Sequence, residues 1–277
     1  MSSLFALAVT AAITLGGSFD SFDATPPGEA RPGFTTLGSV RLNPTSGEIE
    51  VDGYFNLRRG FIEFLACLPE VKSHESLISL DCDPVDLNAA ILLLGVEPGK
   101  PPRSEMDLAP IEGPRLMIRL RYAMSDRPYH VDPESEETFT TWVRDVRAED
   151  VIINGPMERE MARCGFVFTG SQFIEDLEVE VAEGEKPPEV YAPRVLGQLI
   201  SLAHRPMAIL DNPLALPFRD GDYYAYGDVL PRLKRDEAVP VTMVIRRPRP
   251  GEIDRSITRM ELPPPPKQDP ISEGDSR

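Results

Sequence analysis

The sequence is poor in the residues that build disulfide frameworks and metal clusters. Its 277 residues include three cysteines, three histidines and one tryptophan. Three cysteines permit at most one intramolecular disulfide, and a ferredoxin-type cluster needs four cysteine ligands in closely spaced runs. The composition therefore argues against a disulfide framework and against an iron–sulfur cluster. It leaves open whether Cys164 pairs with Cys67 or with Cys82.

Basic charge is scarce relative to acidic charge. The chain has 29 Lys and Arg against 45 Asp and Glu, which gives a formal net charge of −16 at pH 7. A balance of this sign repels a phosphate backbone unless the basic residues are segregated on one face. We therefore expect no nucleic-acid partner.

A long hydrophobic run is also missing. The apolar stretch 4–17 is shorter than the roughly 20 residues that span a bilayer, so we expect no transmembrane span. Its length fits the apolar part of a secretory signal, although no Lys or Arg precedes it. We expect 1–18 to be a signal peptide and the protein to be extracytoplasmic, either periplasmic or secreted. The alternative is a buried first strand or helix of a cytoplasmic protein.

Proline, by contrast, is abundant, with 29 residues in the chain. The stretch 19–34 mixes Gly, Pro, Asp and Ser, which is typical of a linker, and the proline run 263–266 is incompatible with regular structure. We expect one globular domain over 35–247, preceded by a linker at 19–34 and followed by a proline-rich, disordered tail at 248–277.

Alternation of polar and apolar residues predicts antiparallel strands. The clearest segments are 40–42, 49–55, 60–67, 75–80 and 115–122. The first two flank a turn rich in Asn, Pro and Gly and are predicted to form a hairpin, and the next two are predicted to form a second hairpin. The strand at 115–122 places Leu, Ile and Tyr on one face and arginine on the other.

One helix is predicted over about 84–94. Asp83 is suited to cap the first N–H groups, Pro84 to the first turn, and Gly95 to the C-terminal cap. The residues between the caps leave almost no polar face, which predicts burial on nearly all sides. The fold class expected is a mixed α/β domain of the α+β type, mainly antiparallel strands and hairpins, with this well-buried helix and one or two short helices.

Two groups of residues are candidates for a site. His74, Glu75 and Cys67 lie at or near one turn of the predicted second hairpin and have the chemistry of metal ligands. The alternative is structural, with Glu75 and Lys72 hydrogen-bonding the turn. Arg119 and Arg121 project from one face of a strand and could bind an anion, or pair with the chain's own carboxylates.

Several stretches resemble the YdjY-like domain. They are GFIEFLAC at 60–67, KSHESL at 72–77, and the helix 87–94 followed by Gly95 and Pro98-Gly99. The segments 165–171, 197–202 and 208–211 are similar as well, so the resemblance covers about 36–247. This bacterial family is poorly characterised and often exported. The resemblance implies a domain boundary and an exported context, and it supplies no reaction.

No local catalytic motif is present in the sequence. It contains no Gly-x-Ser-x-Gly elbow, His-Glu-x-x-His pair, phosphate-binding glycine loop or dinucleotide fingerprint. The sequence favours a non-catalytic extracytoplasmic domain that binds a protein partner or a small ligand without a cofactor. The alternatives are a metal-binding or redox accessory protein without an iron–sulfur cluster, and a hydrolase with dispersed catalytic residues.

Overall fold

The computed structural model describes residues 31–107, 109–125, 140–176, 179, 185–214, 223–225 and 238–257. The predicted signal peptide at 1–18, most of the predicted linker and the end of the predicted tail lie outside these residues. No helix among them is long and apolar enough to cross a membrane.

Strands make up most of the regular structure. In chain order they are β1 (Thr35–Leu37), β2 (Val40–Asn43), β3 (Glu48–Phe55), β4 (Gly60–Phe61), β5 (Phe64–Cys67), β6 (Ser76–Leu80), β7 (Arg115–Ser125), β8 (Thr141–Arg147), β9 (Ile152–Asn154), β10 (Arg159–Glu160), β11 (Phe166–Phe168), β12 (Phe173–Glu175), β13 (Glu189–Tyr191), β14 (Gln198–Ser201), β15 (Leu210–Asp211), β16 (Tyr223–Ala225) and β17 (Val239–Arg246). The helices are α1 (Pro84–Leu93) and α2 (Ala192–Leu196), with 3-10 turns at Ser73–Glu75, Ala148–Val151 and Gly155–Met157.

Eight of the strands form a closed barrel. Their order is β3-β17-β7-β11-β15-β14-β5-β6, and β6 pairs with β3 to complete the ring. At this closure Gly53 lies opposite Leu80, and a Cβ atom on Gly53 would be 2.0 Å from the carbonyl oxygen of Ser79. Glycine is therefore required at this position for the two strands to meet.

Alternation along the longest strands fills the barrel. In β3 the side chains of Ile49, Val51 and Phe55 are buried, and in β7 Leu116, Ile118, Leu120 and Tyr122 lie in the same core. Successive side chains of a strand point to opposite faces, so one row from each strand packs inward. The rings of Phe55 and Tyr122 meet edge to face at 5.1 Å between centroids.

The fold class predicted from the sequence is wrong, because the protein is a mostly β structure built on a closed barrel. The local pattern identified β2, β3 and β7, but the barrel depends on pairings between distant segments. Residue 55 of β3, for example, pairs with residue 239 of β17 and with residue 78 of β6. Periodicity contains no information on such partners.

The second predicted hairpin is also wrong. β5 and β6 are parallel neighbours, with Phe64 opposite Ser76 and Cys67 opposite Ser79. The connection at 68–75 returns the chain to the start of β5 through a compact loop in which Glu70 and Lys72 have φ values of 63° and 56°. A short connection between two apolar runs predicted an antiparallel pair. The loop instead returns the chain to the end of the sheet at which β5 begins, so that β6 runs parallel to β5.

The helix α1 exists, but it is not buried on nearly all sides. Its N-terminus is capped by Asp83, whose Oδ1 accepts from the Val85 N–H at 2.9 Å. Leu87 and Ile91 are fully buried, whereas Leu92 and Leu93 are 45% and 67% exposed. The helix packs against β2 and α2, and Leu87 and Ile91 join the hydrophobic core from one side of it.

Burial of α1 predicts unequal effects for two substitutions on the same helix. Ile91→Val should lower the free energy of unfolding by about 0.5–1.5 kcal/mol, because it removes a methylene from a filled site. Leu93→Ala should change it by less than about 0.5 kcal/mol, because that side chain is mostly in water. Urea unfolding of both variants checks this, and a larger loss for Leu93→Ala would place the buried side of α1 elsewhere.

The described part of the C-terminal segment, 247–257, packs on the barrel. Glu252 accepts two hydrogen bonds from Arg246, at 2.6 and 2.8 Å. Arg115 donates to the carbonyl oxygens of Asp254 and Ile257, at 3.2 and 3.1 Å. These contacts fix the position of Ile257, which matters for the pocket described below.

Acid should weaken this attachment. Hydrogen bonds from Arg246 lower the pKa of Glu252 from 4.5 to about 2. A carboxyl with a depressed pKa in the folded state stabilises the fold above its unfolded pKa, and this contribution disappears as the pH falls towards 2. Glu252→Gln should therefore lower the free energy of unfolding by about 1–2 kcal/mol near neutral pH, and by little at pH 2. Urea unfolding at both pH values tests this, and an equal loss at both would contradict it.

Candidate functional site

The predicted metal ligands do not meet at one turn. Cys67 is buried, and its Sγ lies 3.8 Å from the Ile78 carbonyl oxygen and 3.7 Å from the Ser79 hydroxyl. His74 precedes β6 and its side chain is 79% exposed. Because Cys67 lies opposite Ser79, it is about 10 Å along the strand from Ser76, the first residue of β6.

His74 and Glu75 remain neighbours in the 3-10 turn. The His74 Nε2 atom is 4.0 Å from Glu75 Oε2, and Lys72 Nζ is 2.7 Å from Glu75 Oε1. The carboxylate of Glu75 thus pairs with lysine in the way the structural alternative describes. Within the ranges that the structure describes, no group of three or more His, Cys, Asp or Glu side chains is arranged to hold a metal ion. Of the three histidines of the chain, His130 lies outside these ranges.

The three cysteines are free thiols. Burial raises the pKa of Cys67, and it raises the pKa of Cys82 and of Cys164 to about 12. The thiolate is the nucleophilic and metal-binding form of cysteine. At neutral pH these side chains are therefore protonated and behave as small apolar residues.

Arg119 and Arg121 lie on the outer face of the sheet β2-β3-β17-β7-β8. Arg121 contacts Glu50 at 3.0 Å and Asp145 at 3.4 Å, and Arg119 pairs with the same Asp145. Glu50 is 1% exposed and also pairs with Arg31 and Arg41. Arg119 and Arg121 thus form ion pairs with carboxylates of this chain. Such pairing was the alternative to anion binding in the sequence analysis.

A buried polar cluster surrounds Asp211, and no motif in the sequence predicted it. This carboxylate accepts from the Ser201 hydroxyl at 2.8 Å and from the backbone N–H groups of Arg205 and Asn212 at 3.2 and 2.7 Å. His204 Nδ1 lies 3.5 Å away, and both side chains are fully buried. Burial raises the pKa of Asp211, and the contact with His204 opposes this shift.

The geometry of this cluster is structural. In a Ser-His-Asp triad the serine hydroxyl contacts the imidazole, which contacts the aspartate on its other side. Here Ser201 donates directly to Asp211, so the imidazole of His204 is not placed between them. The cluster instead holds the loop between β14 and β15, and through Asn212, whose Oδ1 accepts from the Leu214 N–H at 3.0 Å, it positions Leu214.

An open pocket of about 480 Å³ lies beside the small sheet β10-β9-β16-β4. Its lining comes from the ends of four segments: Asn154, Arg159, Glu160, Met161, Ala162, Arg163, Leu214 and Ile257. Strand β9 supplies Asn154, and strand β10 supplies Arg159 and Glu160. Leu214 and Ile257 are held in place by Asn212 and Arg115. The volume falls within the range of ligand sites, about 300–1,000 Å³.

Asn154 is the unusual residue of this pocket. Its side chain is 6% exposed, and its Oδ1 atom is buried without a hydrogen-bond partner. A buried polar group without a partner costs about 1–3 kcal/mol, and most buried side-chain amides avoid this cost by pairing. Asn154 therefore brings an unsatisfied amide oxygen to the wall of the pocket.

The remaining lining is divided between charge and apolar surface. Arg163 is engaged by Asp150 through two contacts, at 2.8 and 3.0 Å. Met161 and Leu214 are almost fully buried and contribute apolar surface to the lining. This distribution suits a ligand with one apolar group and one amide or similar polar group.

The family model of the YdjY domain matches residues 40–243. The chain belongs to the YdjY domain family. Searches of curated proteins and of solved structures gave no significant match. The YdjY match includes both the Asp211 cluster and every pocket residue except Ile257. Almost the whole lining of the pocket therefore lies within the part of this chain that matches the YdjY domain.

Proposed function

We propose that this YdjY domain is a non-catalytic extracytoplasmic binding domain that takes a small ligand in the pocket beside Asn154. The observation that carries the proposal is the buried Oδ1 atom of Asn154, a residue that lines the pocket, which has no hydrogen-bond partner. A ligand that hydrogen-bonds this atom and places an apolar group against Met161 and Leu214 would satisfy both parts of the lining.

The chemistry of the lining favours binding over catalysis. Among the residues that the structure describes, the lining contains no serine, cysteine or histidine, and its charged groups are Arg159, Glu160 and Arg163. A nucleophile needs an adjacent base within hydrogen-bond reach, and Glu160 has none of the usual nucleophiles beside it in this lining. Non-covalent recognition is the function that these residues support best.

Titration of the ¹⁵N-labelled full chain with isovaleramide tests the proposal. This probe combines a primary amide with a branched apolar group. We expect saturable shifts of the Asn154 side-chain amide and of the Met161 backbone amide, in the millimolar range expected of so small a molecule.

Two matched variants show whether the shifts belong to the pocket. Asn154→Leu should abolish them. Asn88→Leu should leave them intact, because Asn88 also has a buried, unpaired Oδ1 but lies on α1, away from the lining. Absence of shifts in the unsubstituted protein, or equal binding to Asn154→Leu, overturns the proposal.

The extracytoplasmic part of the proposal rests on the apolar stretch 4–17. Its length is that of the apolar core of a secretory signal. Expression with the native start followed by intact-mass measurement should yield a mature chain that begins near Phe19. Full-length protein in the cytoplasm would contradict export while leaving the pocket proposal unaffected.

A further inference from the structure

The pocket lies along a strand whose far edge is unpaired among the residues that the structure describes. Within these ranges β10 pairs with β9 alone and is the terminal strand of its sheet. Consecutive residues of a strand point to opposite faces. Arg159 and Glu160 are consecutive, yet both line the pocket, so the pocket follows the edge of β10 and does not lie on one face of the sheet.

The register identifies which backbone groups face this edge. The Met161 N–H donates to the Ile152 carbonyl oxygen at 2.8 Å, and Arg159 lies opposite Asn154. In an antiparallel pair, hydrogen-bonded and non-hydrogen-bonded residues alternate. Glu160, opposite Ile153, is therefore the non-hydrogen-bonded residue, and its N–H and C=O point away from β9 towards the open edge.

We infer that the ligand of this pocket is an extended peptide segment of a partner, which pairs with Glu160 at the edge of β10 and inserts one branched apolar side chain beside Asn154. This inference rests on the proposed function and names its ligand class. Strand addition at a sheet edge uses backbone hydrogen bonds for affinity and pockets for side-chain specificity. A peptide N–H matches the unpaired Oδ1 atom of Asn154, which accepts hydrogen bonds.

The edge of β10 also carries a negative charge, that of Glu160, which a peptide with a basic side chain can pair with. Glu160 is exposed and, in the described part of the chain, has no ion pair of its own, whereas the Arg163 guanidinium is matched by Asp150. A neutral or basic residue next to the apolar side chain of the peptide complements this arrangement. A free small amide can fill the pocket, but it cannot use the edge.

The test compares two probes on the full chain by NMR titration. Isovaleramide reports on the pocket alone, and the blocked tripeptide acetyl-Ala-Leu-Ala-amide reports on the pocket and the edge together. We expect the tripeptide to bind at least about tenfold more tightly, because it adds two backbone hydrogen bonds. We also expect it to shift the Glu160 amide, which isovaleramide leaves in place.

Variants at Glu160 separate the backbone from the side chain. Glu160→Pro removes the outward N–H, and proline is tolerated on an edge strand when its nitrogen faces away from the ladder. In this variant the tripeptide should bind no more tightly than isovaleramide. Glu160→Ala keeps the N–H and should retain the tighter binding of the tripeptide. The affinity of each variant for the tripeptide is compared with its own affinity for isovaleramide.

A chemical control does not depend on the folding of a variant. The tripeptide methylated at each backbone nitrogen cannot donate to the Glu160 carbonyl oxygen, and it should bind no more tightly than isovaleramide. Equal affinity of the methylated and unmethylated peptides overturns the inference and leaves the proposed function standing. If neither isovaleramide nor the peptide binds the full chain or a chain that ends at Ile257, the proposed function fails and the inference with it.

The remaining occupant to exclude is the chain itself. Ile257 lines the pocket, and the sequence continues for a further stretch beyond it. If the full chain binds neither probe while a chain ending at Ile257 binds both, the ligand is the protein's own C-terminal segment and the inference of a partner peptide is overturned. Equal binding by both chains supports the partner peptide.

Discussion

Asp211→Ala should lower the free energy of unfolding by about 3–5 kcal/mol, because it removes the buried carboxylate that several hydrogen-bond donors share. The donors are the Ser201 hydroxyl and the backbone N–H groups of Arg205 and Asn212, and none of them can reach water in the folded protein. The imidazole of His204 loses its contact at the same time.

The size of this effect can be calibrated on the same protein. Asp81→Ala should change stability by less than about 0.5 kcal/mol, because Asp81 is exposed. Ser201→Ala should cost about 1 kcal/mol, the typical contribution of one hydrogen bond. Urea unfolding measures all three. A loss for Asp211→Ala no greater than that for Ser201→Ala would mean that the carboxylate is not the centre of the cluster.

Glu50→Ala should lower the free energy of unfolding by about 3–4 kcal/mol. The carboxylate of Glu50 is 1% exposed and is shared by Arg31, Arg41 and Arg121. Removal of one partner from a buried ion pair is strongly destabilising, because the remaining charge keeps its desolvation cost and loses its compensation. Arg41 and Arg121 keep Asp52 and Asp145 as second partners, which places the loss at the lower end of the range for such pairs.

Glu48 provides the matched control for Glu50. It lies two residues earlier on the same face of β3, where it is partly exposed and accepts one long hydrogen bond from Ser46 at 3.3 Å. Glu48→Ala should therefore change stability by less than about 0.5 kcal/mol. Urea unfolding of the two alanine variants compares them directly. Similar losses would show that the arginines around Glu50 redistribute without cost.

The sequence predicts local features well where one segment decides them. The turn between β2 and β3 is confirmed, with the Gly47 N–H bonded to the Asn43 carbonyl oxygen at 2.9 Å. The strand β7 and the caps of α1 follow from alternation and from residue types at fixed positions. These features depend on contacts within a few residues, which a single sequence expresses directly.

The sequence does not predict which strands pair when the two strands are distant in the chain. β5 pairs with β14 on one side and with β6 on the other, and the two apolar runs at 60–67 and 75–80 contain no signal for either direction. The apolar surface of α1 predicted full burial, but how much of a helix is covered depends on what lies against it. The pocket combines residues from 154 to 257, and Asn154 alone has no distinctive neighbours in sequence.

The order of strands in the barrel determines when the protein can fold during synthesis. β17 is inserted between β3 and β7, and it pairs with each over at least six residues. Until residues 239–246 have left the ribosome, β3 and β7 each have an open edge, and the ring cannot close. The barrel is thus kept open until β17 has been made, and loss of this strand leaves two long strand edges that invite aggregation.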